Sequence, residues 1–146
     1  MAVDSLKRED WVLVVLAAAK GDPLTPVQLQ KGLFLLEKRC PEVSGGNYYS
    51  FTPYSYGPFD VDVYHDAECW QEKGFVTITY SGNSRFREYQ ATESGIKYVQ
   101  SLPLDSSVLV CAEDIVQYVK GQSFQELVAS IYREYPEMRV NSIFKE

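Results

Sequence analysis

DVDVYHDAECWQEKGFVTITYSGNSRFREYQAT, residues 60–92, holds the reading that decides the fold. An acid-rich helix spans about Asp60 to Lys73, and Gly74 suits the position just past its end. Phe75 to Tyr80 then alternates and is rich in β-branched residues, the pattern of a strand. Ser81-Gly82-Asn83-Ser84 is turn chemistry, and Arg85 to Ala91 returns as a second strand. Thr92 caps another helix that runs to about Leu102, where Pro103 breaks it.

Upstream of this unit lie two more helices. The first runs from about Asp4 or Ser5 to Lys20, closed by Gly21 and Asp22-Pro23. Its middle is apolar nearly all round, which places it at the centre of a domain. The second begins at Thr25, with Pro26 in its first turn and Gln28 completing a T-x-x-Q capping box. Leu24 and Leu29 stand at hydrophobic-staple positions, and Cys40-Pro41 ends the helix. Gly32 inside it costs about 1 kcal/mol relative to alanine, a sign of close helix packing. Ser44 to Asn47 reads as a loop, Tyr49 to Tyr54 as a short strand that Pro53 confines to an edge, and Gly57-Pro58 as the turn into the third helix.

Downstream, helices are expected over Ser107–Lys120 and Ser123–Tyr135, the last with an S-x-x-E box at Ser123 and Glu126. Helix, helix, helix, strand, turn, strand, helix is the order of a winged-helix domain. The expectation is therefore an α+β, mainly helical single domain with a two-stranded wing. Its core spans about residues 4–102, with extra C-terminal helices over about 107–146. The apolar stripes of those extra helices either cap the core or form a homodimer interface.

The 146 residues, 45% apolar and 23% charged, are globular in composition. Fourteen basic against twenty acidic residues leave a net charge of −6, the wrong sign for a protein held mainly by phosphate attraction. Cys40, Cys69 and Cys111 are odd in number and far apart, so they read as reduced thiols of a cytoplasmic protein. The apolar run Trp11 to Ala19 is too short to span a bilayer, and Lys7-Arg8-Glu9-Asp10 lacks the cationic excess of a signal peptide. No membrane partner is expected.

Leu29-Gln30-Lys31 leading an apolar helix, Phe51-Thr52-Pro53-Tyr54-Ser55-Tyr56-Gly57-Pro58-Phe59, and the acidic helix closed by Gly74 together carry a family resemblance. Thr92-Glu93-Ser94-Gly95 and the tail around Tyr135-Pro136-Glu137 extend it. The chain resembles bacterial YwgA-like proteins and, more distantly, the Panacea (SocA-like) antitoxin domain. The antitoxin domain usually carries tryptophan two residues before its Y-G-P tyrosine. Tyr54 stands there in this chain, which favours the YwgA-like branch. The resemblance implies a non-enzymatic winged-helix module, with antitoxin-like binding of another protein as its most concrete form.

The same residues include the candidates for chemistry. His65 lies one turn before Cys69, with Asp62 and Asp66 on the same side of the helix, a spacing that two metal ligands could share. One helix surface does not close a metal site, so these residues read as a solvated acidic face, with no metal or cofactor expected. No nucleophile elbow, P-loop or G-x-G-x-x-G is present, and a Cys–His pair on one exposed face lacks the pocket and orienting group that catalysis needs. DNA binding is the alternative that the fold suggests. Yet Asp60 to Glu72 holds five acids and no Lys or Arg, the wrong charge for a major groove. Arg85 and Arg87 on the wing, with Lys31, are the phosphate contacts that remain for that reading.

Seven of the eighteen residues from Asn47 to Tyr64 are Tyr or Phe, enough to lock the loop onto the third helix or to offer an aromatic patch to a partner. Tyr54 and Tyr56 share parity and so face the same way in an extended segment. The leading expectation is a protein-binding module using Tyr54, Tyr56, Phe59, Asp62 and Asp66.

Overall fold

In the computed structural model, which describes residues 6–40, 48–80 and 87–144, the first helix forms the axis of the molecule. This helix, α1 (Arg8–Ala18), buries every residue from Asp10 to Leu16, so it has no solvent face over that stretch. Helices α2 (Pro26–Arg39), α3 (Asp62–Glu72), α4 (Glu93–Gln100) and α5 (Ser106–Lys120) surround it. It starts later than its pattern suggests: Lys7 lies outside the helix and donates its N–H to the Asp10 carboxylate at 2.9 Å. It also ends before Lys20, which turns to φ +56°. Residues 4 and 5 lie outside the described residues.

The caps form where their spacing predicts. Thr25 Oγ1 accepts from the Gln28 N–H, and Gln28 Oε1 accepts from the Thr25 N–H, which starts α2. Along α2, a Cβ at Gly32 would stand 3.5 Å from Val15 Cγ1, so the two helices touch at this point. Ser123 and Glu126 make the same reciprocal box at the start of α6 (Phe124–Glu134). Thr92 Oγ1 accepts from the Gly95 N–H to start α4. Glycine at 95 has its own cause, since a Cβ there would lie 2.2 Å from the Phe75 carbonyl oxygen.

Two antiparallel hairpins complete an α+β, mainly helical fold with six α-helices among the described residues. In the larger hairpin, β3 (Val76–Tyr80) pairs with β4 (Arg87–Ala91), with Val76 opposite Ala91 and Tyr80 opposite Arg87. The turn at 81–84 and Arg85 lie outside the described residues. Leu24 adds a bridge to Tyr89, exchanging backbone hydrogen bonds of 2.8 and 2.9 Å.

The smaller hairpin departs from the sequence reading. Instead of turning straight into α3, Gly57-Pro58-Phe59 forms a strand, β2 (Gly57–Phe59), paired with β1 (Thr52–Tyr54). Pro53 opposes Pro58, and Ser55-Tyr56 form the connection. Gly57 takes φ +106°, a conformation open to glycine. Helix α3 starts two residues later than its composition suggests, after Asp60, whose carboxylate accepts from the Asp62 and Ser50 N–H groups.

The C-terminal helices share the common core. Helix α5 buries Val108, Ala112, Ile115, Val116 and Val119 and packs on α1 and α2, while α6 buries Leu127, Val128 and Ile131. A 3-10 turn over Pro136–Arg139 leads to the tail. One expectation is overturned outright: Cys40 and Cys111 form a disulfide, which ties the end of α2 to α5. Only Cys69 is free among the described residues. The inference from reduced thiols to a cytoplasmic location loses its basis. No helix among the described residues is long and apolar enough to cross a membrane.

Candidate partner-binding surface

The aromatic segment divides between core and surface. Tyr49 is buried, and Tyr48, Phe51, Phe59 and Tyr64 are half-buried, whereas Tyr54 is 57% and Tyr56 39% exposed. Tyr54 ends β1 and stacks on Phe59 with ring centroids 4.9 Å apart. Phe59 meets Tyr64 edge-on, and Tyr64 stacks on Tyr89 of β4, so a ladder of rings joins the small hairpin to the large one. Burial pushes the Tyr64 hydroxyl up to about 12, so it stays neutral within the ladder. Tyr56 lies in the turn beyond the strand and meets Phe124 of α6 at 5.1 Å. The equal parity of Tyr54 and Tyr56 therefore places them on different neighbours, because the chain reverses between them.

Two side chains of α2 hold this hairpin from beneath. Gln30 Nε2 donates to the Asp60 carbonyl at 2.9 Å, and the Asp60 N–H donates to Gln30 Oε1 at 3.1 Å. Lys31 lies alongside, 4% exposed, and its Nζ donates to the Pro58 carbonyl at 3.3 Å. This corrects the expectation that Lys31 meets phosphate: its ammonium lies under the Y-G-P turn, out of reach of a polyanion. Burial pushes it down to about 8.

Asp66 is the second correction. It is 7% exposed, and Arg8 grips it with two hydrogen bonds of 2.9 Å, from Nε and Nη2. The Tyr49 hydroxyl donates to the same carboxylate at 2.6 Å. Burial, and then this bond to a carboxylate, hold the Tyr49 hydroxyl well above its ordinary pKa. Asp66 thus joins α1 to α3 and is no part of a solvated acidic face. Asp62 does remain partly exposed, 3.4 Å from Arg8 Nη1 and 3.3 Å from His65 Nδ1. Asp66→Asn is expected to lower stability by about 2 kcal/mol, since Arg8 loses its bidentate carboxylate and keeps only Asp62 at 3.4 Å, while the buried Tyr49 hydroxyl loses a charged acceptor. Urea unfolding reads this directly, and a loss below about 0.5 kcal/mol, the range of neutral surface changes, would contradict it.

Arg87, expected as a phosphate contact, donates from Nη1 to Glu68 Oε2 at 2.9 Å and from Nε to the Tyr80 hydroxyl at 3.1 Å. Its charge is matched within the protein. Arg85, the other arginine expected to meet phosphate, lies outside the described residues. His65 and Cys69 gain no further ligands, for no group of three His, Cys, Asp or Glu residues is placed to hold a metal among the described residues.

Sequence reasoning missed what completes the surface. Phe124 is 39% exposed at the first position of α6, and the tail residues Val140 and Ile143 are 75% and 63% exposed. The Ile143 N–H donates to the Ser55 carbonyl at 3.0 Å, and Asn141 Nδ2 to the Pro53 carbonyl at 3.1 Å, which brings the tail onto β1. Phe124 was legible only as the first residue of an apolar stripe. Nothing in the local pattern placed it beside Tyr56. A cleft of about 540 Å³ opens there between Pro26, Val27, Tyr56, Phe124 and Leu127, with no charged residue among the described residues of its lining. Compared with known proteins, the chain matches no family model and no curated protein.

Proposed function

We propose that this chain is a non-catalytic winged-helix module that binds a protein partner through the apolar surface around the β1–β2 turn. The observation that carries the reading is the gathering of Tyr54, Tyr56, Phe124 and Ile143, all exposed, where the hairpin, α6 and the tail meet. Exposed aromatic rings held by a rigid support are typical anchors of protein interfaces. Gln30, Lys31 and the Phe59–Tyr64–Tyr89 ladder provide that support. The winged-helix assignment is supported by the order α1, α2, α3, β3, β4, α4 and by the Leu24–Tyr89 bridge beside the wing. Antitoxin-like regulation is the most concrete form of this function.

DNA binding draws less support. Helix α3 carries Asp62, Asp66, Glu68 and Glu72 with no Lys or Arg, Lys31 is buried, and Arg87 is paired. The test is affinity capture from native lysate with and without nuclease, followed by titration of the captured protein against Tyr54→Ala/Tyr56→Ala. The double variant is expected to bind at least about tenfold more weakly, as loss of interface anchors implies. Its melting temperature should fall by only a few degrees, since each tyrosine gives up one partly exposed ring pair. Undiminished affinity in a folded double variant, or enrichment of nuclease-sensitive DNA alone, would overturn the reading.

A further inference from the structure

Among the described residues, strand β1 has one edge paired with β2 and one edge free of the sheet. Pro53 has no N–H to offer, so this strand suits an edge that presents carbonyls. Two carbonyls at alternate positions, Pro53 and Ser55, accept from a single neighbouring segment, the chain's own tail. The tail fills that place poorly. Asn141 reaches Pro53 through its side chain rather than its backbone, and Val140 and Ile143 leave most of their apolar surface in solvent. Its one aromatic anchor is Phe144, set edge-on to Phe124 at 6.0 Å and to Tyr132 at 6.2 Å. Among the described residues the segment up to Arg139 is anchored by buried Met138 and by Arg139 over the Tyr132 ring, whereas residues 140–144 meet the hairpin through the Asn141 and Ile143 bonds, so this last stretch is the part that can be displaced.

We propose that the outer edge of β1 is a strand-accepting site, held by the tail as a weak internal occupant, and that its ligand is an extended peptide segment of a partner protein. The segment donates backbone N–H groups to the Pro53 and Ser55 carbonyls and sets an aromatic or large aliphatic side chain in the place of Phe144. Its alternate apolar residues cover Tyr54 and Tyr56, which the tail leaves exposed. This inference rests on the protein-binding reading above and names the mode of binding.

The probe is a fluorescently labelled peptide, VNSIFKE, copying residues 140–146. It is titrated by anisotropy into the full chain and into full-chain Ile143→Pro/Phe144→Ala, which removes the N–H donor and the ring of the internal occupant. The released variant is expected to bind the peptide at least about tenfold more tightly than the parent, because the competitor within the chain is lost. A peptide with proline in place of its isoleucine should lose that binding. Equal binding by the two proteins, or no saturable binding to a released variant with an unchanged melting temperature, would overturn the proposal. A peptide-resistant dimer of the released variant would assign the edge to a second copy and likewise overturn it.

Amide hydrogen exchange of the parent provides a measurement that needs no variant. The Ile143 amide should exchange through local opening, far faster than amides of α1, and protection equal to α1 would contradict a displaceable tail. The two proposals separate cleanly. A partner that needs Tyr54 and Tyr56 but binds parent and released variant alike leaves the function standing and removes the strand-accepting edge. A partner indifferent to both tyrosines removes the function itself.

Discussion

Reduction of the Cys40–Cys111 disulfide is expected to lower the stability of the fold by about 4 kcal/mol, through the entropy of the loop it closes in the unfolded chain. The two cysteines are 71 residues apart in sequence, so the bridge constrains half of the unfolded chain. It joins the end of α2 to α5, the helix through which the C-terminal extension packs on α1 and α2. Cys40 is fully buried, so the double variant Cys40→Ala/Cys111→Ala removes the link and leaves a sulfur-sized cavity at that end, and the reduced parent, which keeps both sulfurs, isolates the effect of the link. For a domain of this size the loss corresponds to a fall in melting temperature of about 10 °C, in the variant and in the reduced parent alike. Thiol titration of the denatured, unreduced protein should find Cys69 alone reactive. Three reactive thiols, or a melting temperature indifferent to reductant, would show that the bridge does not hold the fold.

This disulfide marks where sequence reasoning stops. Local chemistry was legible: Thr25 with Gln28, Ser123 with Glu126, and Thr92 before Gly95 each announce a helix start, because the cap bonds lie within three residues. The uninterrupted burial of α1 was equally plain from its apolar run. Pairing across 71 residues has no such local sign. The β1–β2 hairpin failed for another reason: its three-residue strands carry opposed prolines, which hide the alternation that normally identifies a strand. Asp66 carries a readable signal. Val63, Asp66, Ala67 and Trp70 occupy the i, i+3, i+4, i+7 positions of the buried stripe of α3, so the carboxylate lies within the packed face and calls for a cation. That cation, Arg8, is 58 residues away. The surface proposed for partner binding shows the same division, since Tyr54 and Tyr56 stand out in composition while Phe124 and Ile143 join them only through the fold.

Lys31→Met is expected to stabilise the protein at pH 7 and to destabilise it above pH 10, a change of sign that follows from one buried ammonium. The Lys31 pKa falls from an ordinary 10.5 to about 8 in the fold, and desolvation is the cause. Below about pH 8 both folded and unfolded chains carry the proton, and the fold bears the whole cost of burying the charge. Between about 8 and 10.5 the unfolded chain binds more protons than the folded one, so stability rises with pH. The rise attributable to Lys31 is about 3 kcal/mol. Methionine fills a similar volume without the charge but leaves the buried Pro58 carbonyl without its donor, at a cost of about 1 kcal/mol. The variant should therefore gain about 2 kcal/mol at pH 7 and lose about 1 kcal/mol near pH 10.5. Urea unfolding of parent and variant, both carrying Cys69→Ser to prevent thiol exchange at high pH, measures the difference and cancels the titration of the tyrosines. A difference that stays flat from pH 7 to 10.5 would contradict the assignment. The cost is borne where it positions the surface: Lys31 Cε and Tyr132 Cε1 lie 3.5 and 3.6 Å from the place a Cβ would take on Gly57, directly under the turn that presents Tyr56. Removal of the charge should thus raise stability at neutral pH while loosening the hairpin, and a slower, weaker association with the partner would show that the lysine serves the surface at the expense of the core.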